Sequence, residues 1–402
     1  MRMKSMMKNQ TRLPLSARLS FIVLALAVTL LTSCAASQAT TPSAGTAQPD
    51  NQTASPDSLE SLVKYSSSFT SSFDTVITVI GYASSQAEFD HWADLAESEF
   101  AKLHQLFDIY HEYPGINNLM TINQQAGKGP VQVDALILDL IEFYLANDHL
   151  APGKVSPSLG SVLAVWHDHR EAAESGQATV PNLSDLQAAA EHMDPAAVKI
   201  DRQASTLELT DPLVRLDVGA VAKGYATEIV AQSLIEQGMT SGIISAGGSN
   251  VRLIGKPADP ARETWAIGIQ NPFVSMLIPE GQSVDVILTN NTSIVTSGDY
   301  QRYYLVDGVI YHHLIDPDTL MPANHQRAVT IVTPDSGLAD YLSTAVFLLP
   351  YADGRKLVES LPDCEALWIF QDGSMQATDG LAALLKDKAM GNAKDMAEGL
   401  GK

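Results

Sequence analysis

A carboxylate, two glycines and a lysine lie close together in residues 216–225, LDVGAVAKGY. Apolar residues on both sides predict a strand entering a tight turn and an amphipathic helix leaving it. Glycines let the backbone approach an anion, and N–H groups at a helix start carry partial positive charge, so such a turn can hold a phosphate. The run matches neither the dinucleotide nor the P-loop spacing, and a plain glycine turn with a solvated Lys223 is the alternative interpretation.

Two oxygen-bearing side chains, Asp340 and Thr344, lie four residues apart in segment 333–347, which opens with capping residues and continues as an apolar helix. This spacing places both on one helix face near the helix start. A carboxylate and a hydroxyl among apolar neighbours are ligands suited to Mg²⁺. The alternative is that Asp340 complements the helix dipole and Thr344 bonds to its own backbone.

Three further polar segments lie beside predicted strands. Gly247 and Gly248 indicate a bulge, a ligand pressed against bare backbone, or a plain hairpin turn. Residues 297–302, SGDYQR, offer hydroxyls and a cation for a phosphate or a sugar. Adjacent His312 and His313 point to opposite sides of a strand, so they are poor joint ligands for one metal. We expect one of them to be buried and hydrogen-bonded and the other to line a cleft.

These motifs depend on a series of helices and short strands for their positions. Helical spacing predicts helices over 88–107, 134–149, 162–174 and 183–192, and β-branched alternation predicts a strand over 73–82. Further short strands are predicted at 197–200, 206–209, 214–218, 242–245, 251–254, 265–269, 284–288, 293–296, 303–306, 309–314 and 328–332, with a hairpin turn at Asp307-Gly308. The order predicts an α+β fold of largely antiparallel sheets flanked by helices, in two closely packed subdomains or one large elaborated domain.

The N-terminal region has the pattern of a bacterial lipoprotein. Residues 1–33 hold five basic and no acidic residues, and their apolar stretch is shorter than the ~20 residues that span a bilayer. It ends in a sequence resembling a lipobox before Cys34, which predicts lipidation there; a free cysteine near an ordinary cleavage site is the alternative. We therefore predict a signal peptide over 1–33, a lipidated Cys34 with a disordered tether over 34–60, and a folded domain over 61–402. The expected location is extracytoplasmic and membrane-anchored.

Net charge and cysteine count narrow the possible partners. The chain has 25 basic and 46 acidic residues, for a formal net charge of −21. Such acidity argues against nucleic acid as a partner and repels anionic ligands at long range, so a phosphate site must be built locally. Cys364 is the only other cysteine, which excludes a thiolate zinc site and, if Cys34 carries lipid, an intramolecular disulfide.

In this order, the motifs resemble one known family. They are Phe73-Asp74-Thr75, Ile122-Asn123 with Ala126-Gly127, Asp217-x-Gly219-x-x-x-Lys223-Gly224, Gly247-Gly248, Ser297-Gly298-Asp299-Tyr300, His312-His313-x-Ile315-Asp316-Pro317 and Asp340-x-x-x-Thr344. The set is similar to the FAD:protein FMN transferases, the ApbE-type flavin transferases, over about residues 70–350. A lipobox and tether before the domain also fit that family.

The resemblance implies an α+β fold with an FAD cleft between two packed parts, and a requirement for Mg²⁺. It implies transfer of the FMN moiety of FAD to a Thr or Ser hydroxyl of a partner redox flavoprotein, as a phosphoester, with release of AMP. Asp340, Thr344 and the Ala220 carbonyl match the metal ligands, and Asp340 is also the candidate catalytic residue. The positions that match FAD contacts are Tyr110, Lys223, Gly247, Gly248, Ser297, Tyr300 and His312.

The chain departs from the family pattern in two places. Thr319 is followed by Leu320 where the family usually has glycine, and 153–157 lacks an aromatic–Asp pair that many members show. Two other functions stay open at this point. One is an FAD pyrophosphatase that uses water as the nucleophile at the same metal site, and the other is a non-catalytic FAD-binding lipoprotein.

Overall fold

Residues 62–274, 282–387 and 390–398 are described by the computed structural model. The predicted signal peptide, the lipidation site at Cys34 and the tether lie outside these ranges. Within the described ranges, no helix has both the length and the apolar character needed to cross a membrane.

The described elements alternate between helices and short strands. The strands are β1 (Val63–Ser72), β2 (Thr75–Ala83), β3 (Val131–Gln132), β4 (Val198–Asp201), β5 (Thr206–Leu209), β6 (Gly242–Ala246), β7 (Asn250–Ile254), β8 (Trp265–Gln270), β9 (Ser283–Thr289), β10 (Ser293–Gly298), β11 (Tyr303–Val306), β12 (Val309–His312), β13 (Ile315–Asp316), β14 (Met321–Pro322), β15 (Ala328–Thr333), β16 (Glu365–Ile369) and β17 (Met375–Ala377). The α-helices are α1 (Gln86–Phe107), α2 (Leu119–Gln124), α3 (Ala135–Asn147), α4 (Gly160–Glu174), α5 (Leu183–Ala190), α6 (Ala222–Glu236), α7 (Ser336–Leu348), α8 (Tyr351–Glu359), α9 (Asp379–Leu384) and α10 (Ala393–Glu398).

An eight-stranded sheet in the order β1-β2-β6-β7-β10-β15-β16-β17 forms the centre of the fold, and each neighbouring pair is antiparallel. Helices α1, α3, α6 and α7 share a hydrophobic core with one face of this sheet. The β8–β9 hairpin and α9 cover the other face. Neighbouring residues Ile294 and Val295 belong to these two different cores, as expected where a strand points alternate side chains to opposite faces. The predicted α+β fold with largely antiparallel sheets is confirmed.

Helix α7 carries polar groups into this core. Its N-terminus is capped by Asp335, whose carboxylate accepts a hydrogen bond from the Leu338 N–H at 2.7 Å. Nearly every residue of the helix is buried, including Asp340, Ser343 and Thr344. Polar side chains in such a position need partners, which points to a site at this end of the helix.

One prediction about the fold needs correction. Segment 214–218 is not a strand, because the Asn123 side chain, not a neighbouring strand, bonds to both the N–H and the carbonyl of Leu216, at 2.7 and 3.0 Å. Arg215 forms only an isolated bridge with Leu159. Of the two arrangements predicted, one large elaborated domain fits the described residues, which belong to one compact unit.

Candidate active site

A cleft of about 290 Å³ opens where the N-terminal ends of α6 and α7 meet the end of β10. Six of the predicted site residues line this cleft, namely Tyr110, Ala220, Lys223, Ser297, Asp340 and Thr344. The other predicted residues, Gly247, Gly248, Tyr300 and His312, do not line it. The structure therefore brings together the predicted metal ligands and three of the predicted FAD contacts.

Asp340 and Thr344 lie one turn apart on α7, and both side chains are almost fully buried at the cleft. The Gly224 N–H donates to Asp340 Oδ2 at 2.7 Å. Gly224 is the third residue of α6, where a backbone N–H has no partner within the helix, so Asp340 satisfies it. Ala220, which precedes the helix, lies at the same cleft. A carboxylate, a hydroxyl and a carbonyl oxygen together form a donor set suited to Mg²⁺.

This donor set is small for a metal held by protein alone. Among the described residues, no group of three His, Cys, Asp or Glu side chains could hold a metal. Mg²⁺ commonly binds through one or two carboxylates and keeps water and substrate phosphate oxygens as its other ligands. The residues therefore fit Mg²⁺ that is bound together with a phosphate-bearing substrate.

Gly224 makes the contact between α6 and α7 possible. A Cβ atom at this position would overlap the backbone carbonyl oxygen of Ser336 and lie 2.5 Å from the Asp340 Cβ. The two helices therefore approach each other closely at the residue that carries the candidate ligand. Glu228 adds a second link, since it pairs with Arg252 at 2.9 Å and accepts from the Ser336 N–H at 2.9 Å.

Charges at the cleft perturb one another. Burial raises the pKa of Asp340 to about 6, against the opposing effects of Lys223, the Gly224 N–H and Arg302. Burial lowers the pKa of Lys223, whose ammonium group donates to the Ser249 hydroxyl. Perturbed groups of opposite sign in one cleft are typical of a functional site.

Four cationic side chains line the cleft of this strongly acidic protein: Lys154, Arg170, Lys223 and Arg302. Four carboxyl groups, those of Asp74, Asp108, Asp217 and Asp340, line the cleft as well. Burial raises the pKa of Asp217, although the Gly219 N–H, which donates to it at 2.8 Å, acts in the opposite direction. The cationic side chains can attract an anionic ligand locally in a protein whose net charge is −21, but they do not outnumber the carboxyl groups of the cleft.

The loop that carries Tyr110 is held by a buried carboxylate. Asp108 accepts hydrogen bonds from the Tyr110 N–H at 2.7 Å, the His111 N–H at 3.1 Å and the Tyr113 hydroxyl at 2.8 Å. Burial alone would raise the pKa of Asp108, but these bonds outweigh it and lower the pKa. The Tyr110 ring stacks on His167 with centroids 4.9 Å apart, which forms a flat aromatic wall suited to a planar ligand ring.

Replacing Asp108 with Asn should loosen this loop. We expect the free energy of unfolding to fall by about 2 kcal/mol, because three donors lose a charged acceptor in a buried site. Hydrogen exchange of residues 108–113 should rise at the same time. Asp94→Asn, which changes an exposed carboxylate of α1, is the control and should leave both measurements unchanged. Unaltered exchange in Asp108→Asn would show that the loop is held by other contacts.

The two adjacent histidines have different environments. His312 is buried, its Nε2 donates to the Ala323 carbonyl at 2.8 Å, and its Nδ1 accepts from the Leu314 N–H at 3.2 Å. His313 lines the cleft and donates from Nδ1 to the Arg302 carbonyl at 3.2 Å, which leaves Nε2 as an acceptor. The structure therefore places the predicted FAD contact His312 away from the cleft, because both of its ring nitrogens bond to backbone.

Gly247, Gly248 and Tyr300 also lie outside the main cleft. The two glycines form the turn between β6 and β7 with φ of +67° and +70°, and a Cβ on Gly247 would overlap the Thr75 hydroxyl. The Tyr300 ring packs against Gly298. Gly248 and Tyr300 line a separate cavity of about 30 Å³. The hairpin turn, which is one of the alternatives predicted for this glycine pair, is the one found.

Comparison with known proteins assigns the chain to a family. The model of the ApbE family matches residues 73–368. The chain belongs to the ApbE family. The match spans the α6 turn, the β10 end and all of α7, and so contains every residue that the cleft contributes from these elements.

Similar proteins of the ApbE family share both sequence and fold. An "FAD:protein FMN transferase" of Treponema pallidum (strain Nichols) is 32% identical over 276 residues, which cover 65% of this chain and 73% of the relative. Another of that name from Klebsiella pneumoniae (strain 342) is 29% identical over 68% of this chain and 82% of the relative. The crystal structure of the ApbE protein from Thermotoga maritima aligns with a TM-score of 0.70 at 26% identity, covering 80% of this chain and 99% of that one.

The two departures from the ApbE pattern meet at one turn. Leu320 has φ of +61°, the left-handed conformation that glycine adopts without strain, and its carbonyl accepts from the Trp166 indole at 3.0 Å. Lys154, from the atypical segment 153–157, bonds to Asp316 and Asp318 at 2.7 Å each. The turn thus keeps the backbone conformation of a glycine turn, held by the buried Leu320 side chain and the Lys154 ion pairs.

Two cleft residues, His167 and Arg170, were missed by sequence reasoning about the site, whereas the cation of segment 297–302 and one of the two adjacent histidines were predicted there. His167 and Arg170 have a detectable signal, because residues three apart on α4 share a helix face, and Arg170 donates to His167 Nδ1 at 2.7 Å. Arg302 and His313 flank the β11–β12 hairpin, and the His313 N–H and Nδ1 both donate to the Arg302 carbonyl at its base.

Proposed function

We propose that this protein is a Mg²⁺-dependent FAD:protein FMN transferase, which transfers the FMN moiety of FAD to a Ser or Thr hydroxyl of an extracytoplasmic redox flavoprotein and releases AMP. The observation that carries the proposal is the meeting of Asp340, Thr344 and the Ala220 turn with Lys223 and Arg302 in one cleft. The names of the curated relatives support the same reaction. Lipidation at Cys34 and membrane anchoring are part of the proposal and rest on the sequence pattern.

The proposed substrate places a diphosphate beside the cationic side chains. Asp340, Thr344 and the Ala220 carbonyl would hold Mg²⁺, which when bound polarises the phosphorus centre and neutralises charge developing on the AMP leaving group. Lys223 and Arg302 would bind phosphate oxygens, and the Tyr110–His167 pair would stack on a ring of FAD. Gly247, Gly248, Tyr300 and His312 lie outside the cleft lining, and their contacts with FAD stay predictions from the family resemblance.

Metal binding should depend on pH through Asp340. Its pKa of about 6 lies above the ordinary value of 3.8, so without metal its contribution to stability is present below pH 4 and is lost as pH rises through 6. Mg²⁺ requires the ionised carboxylate, so we expect Mg²⁺ to raise Tm strongly at pH 7.5 and little at pH 5. Differential scanning fluorimetry with and without MgCl₂ measures this. Asp340→Asn is the control and should lose the pH dependence; a Tm gain that is equal at both pH values in the unaltered protein would contradict the assignment.

The transfer step needs a base for the acceptor hydroxyl. The hydroxyl oxygen attacks the FMN phosphorus, the bond from that phosphorus to the bridging oxygen breaks, and AMP leaves with the bonding electron pair. Burial, Arg302 and His312 lower the pKa of His313 to about 3, so this imidazole is neutral and its Nε2 can accept the proton. The negative diphosphate would raise that pKa when FAD binds. We therefore assign proton removal to His313 and metal binding to Asp340.

The two histidines give a matched test of this assignment. We expect His313→Gln to lower the rate of FMN transfer by about 10²-fold or more, because a general base is removed, with FAD affinity changed by less than about threefold. His312→Gln should lower Tm and leave the rate per folded molecule largely intact. Quenched time points of the reaction give the rate of FMN transfer, and FAD fluorescence titration gives the affinity for FAD. A His313→Gln enzyme with full transfer activity would exclude the imidazole as the base.

The proposed activity is tested by incubating the protein with FAD, MgCl₂ and a candidate acceptor. A covalently fluorescent acceptor band is expected, and Asp340→Ala should remove it. Release of free FMN and AMP without an acceptor would favour the pyrophosphatase. Tight retention of FAD without turnover would favour a non-catalytic binding protein.

A further inference from the structure

The β11–β12 hairpin projects from the rim of the cleft. It is flanked by Arg302 and His313, which both line the cleft, and the His313 N–H donates to the Arg302 carbonyl at 3.1 Å. Its two strands pair only with each other among the described residues, so both outer edges carry backbone groups that are not used in a sheet.

The two faces of this hairpin differ. On one face, Tyr304 stacks on Tyr311 and Tyr311 stacks on Trp166 of α4, with centroids 5.8 and 5.9 Å apart. The opposite face carries Tyr303, Leu305, Ile310 and, beside Tyr303, the buried His312; we name its three exposed residues the outer hairpin face. Their exposed fractions are 45%, 53% and 36%. Leu305 and Ile310 are a cross-strand pair, so the apolar surface is continuous.

Exposed apolar residues are concentrated here. Of the thirteen large hydrophobic residues that are exposed among the described residues, four lie in the ten positions 303–312. Positions 303–312 contain one acidic residue, Asp307 in the turn, and no Lys or Arg. Edge strands are ordinarily protected by charged side chains or proline, and an unprotected apolar edge marks an interaction surface.

We propose that an open edge of the β11–β12 hairpin binds an extended segment of the acceptor protein as a third strand, which lays apolar side chains beside the outer hairpin face and presents its Ser or Thr hydroxyl to the cleft. This proposal rests on the proposed transferase function, because that reaction requires a protein hydroxyl in the cleft. The hairpin is continuous with the cleft through Arg302 and His313. A segment bound to the hairpin therefore lies next to the cleft, which favours the acceptor over an unrelated protein as the occupant. Strand addition would supply backbone hydrogen bonds, and the apolar face would select side chains.

The geometry specifies a sequence preference in the acceptor. Leu305 lies three residues beyond Arg302, which corresponds to about 10 Å at the rise of a β-strand. A bound strand whose hydroxyl lies in the cleft would therefore place the side chain three residues away against Leu305 and Ile310. We expect that side chain to be apolar, on one side of the Ser or Thr.

The test uses the full-length protein and a carrier protein that ends in a randomised nine-residue extension around a fixed threonine. Carriers labelled by FMN are recovered by flavin fluorescence and sequenced. The unaltered enzyme should enrich apolar residues about three positions from the threonine by roughly tenfold over acidic ones. The double variant Leu305→Asp/Ile310→Asp should lose this enrichment while its FAD affinity and Tm stay unchanged.

Leu183→Asp/Leu213→Asp is the matched control, because it adds the same charge at residues that are 55% and 54% exposed and do not line the cleft. It should keep the enrichment. Enrichment that persists in the hairpin variant would overturn the docking proposal and leave the transferase intact. Self-association that is lost in the hairpin variant, with enrichment unchanged, would assign the face to a second copy instead. An unaltered enzyme that labels no carrier would contradict the transferase function itself, and the docking proposal would fall with it.

Discussion

Asp340→Asn should lower kcat/KM for FMN transfer by about 10³-fold or more, equivalent to about 4 kcal/mol of lost transition-state stabilisation. The substitution removes the only carboxylate of the proposed Mg²⁺ site while it keeps the size of the side chain. Asn can still accept the Gly224 N–H that now bonds to Asp340 at 2.7 Å, so the helix contact survives. Steady-state kinetics with varied MgCl₂ should show that added metal does not restore the rate.

Asp335→Asn is the matched control on the same helix. Asp335 caps α7 and accepts from the Leu338 N–H, at the helix end next to the cleft but outside its lining. We expect this variant to lose at most about 1 kcal/mol of stability and little activity, since Asn is also a good capping residue. If Asp340→Asn retained substantial activity at saturating Mg²⁺, the metal role of this residue would be excluded.

Gly224→Ala should have a large structural effect at the site. The new Cβ would overlap the Ser336 carbonyl oxygen and crowd Asp340 at 2.5 Å and the Asn250 amide at 2.8 Å. Because two of these neighbours are backbone or Cβ atoms, α6 and α7 must separate for the methyl group to fit. We expect a loss of about 3 kcal/mol in the free energy of unfolding, together with loss of FMN transfer.

Gly337→Ala provides the comparison on α7. Its Cβ would meet neighbours at 3.2 to 3.4 Å, which small shifts accommodate, and alanine favours the helix. Chemical denaturation should therefore show Gly337→Ala close to the unaltered protein and Gly224→Ala well below it. Equal stability of the two variants would show that the close contact between α6 and α7 does not limit the fold.

The sequence is sufficient to predict most regular elements. The helices at 88–107, 134–149, 162–174 and 183–192 are confirmed within a few residues, because each repeats apolar residues at helical spacing. The hairpin turn at Asp307-Gly308 is confirmed by positive φ at both residues. The i, i+4 spacing of Asp340 and Thr344 likewise places both at the cleft.

Other features depend on contacts that are distant in the sequence. Strand β1 is rich in serine and gives a weak strand signal, and its pairing with β2 supplies the order that the local sequence lacks. The turn between them lies at Phe73 and Asp74, which both have positive φ, where the sequence predicts the start of a strand. Such a turn ordinarily uses Asn-Gly, and Phe73-Asp74 does not match that pattern, so the sequence does not predict a turn there.

The choice between the two histidines illustrates the same limit. Alternation on a strand predicts that His312 and His313 point to opposite sides, and this is confirmed. It does not specify which one faces the core. That is decided by the Ala323 carbonyl and by the Phe347 ring, 5.7 Å from the His312 ring centroid, both of which lie on other elements.

The most direct test of the account is the stoichiometry of FAD consumption in the presence of an acceptor flavoprotein. Intact-protein mass spectrometry gives the amount of acceptor that has gained one FMN phosphoester, and chromatography gives AMP and free FMN. We expect one AMP to be released for each FMN bound to the acceptor, with little free FMN and no reaction in Asp340→Asn. AMP accompanied by an equal amount of free FMN and an unlabelled acceptor would contradict it.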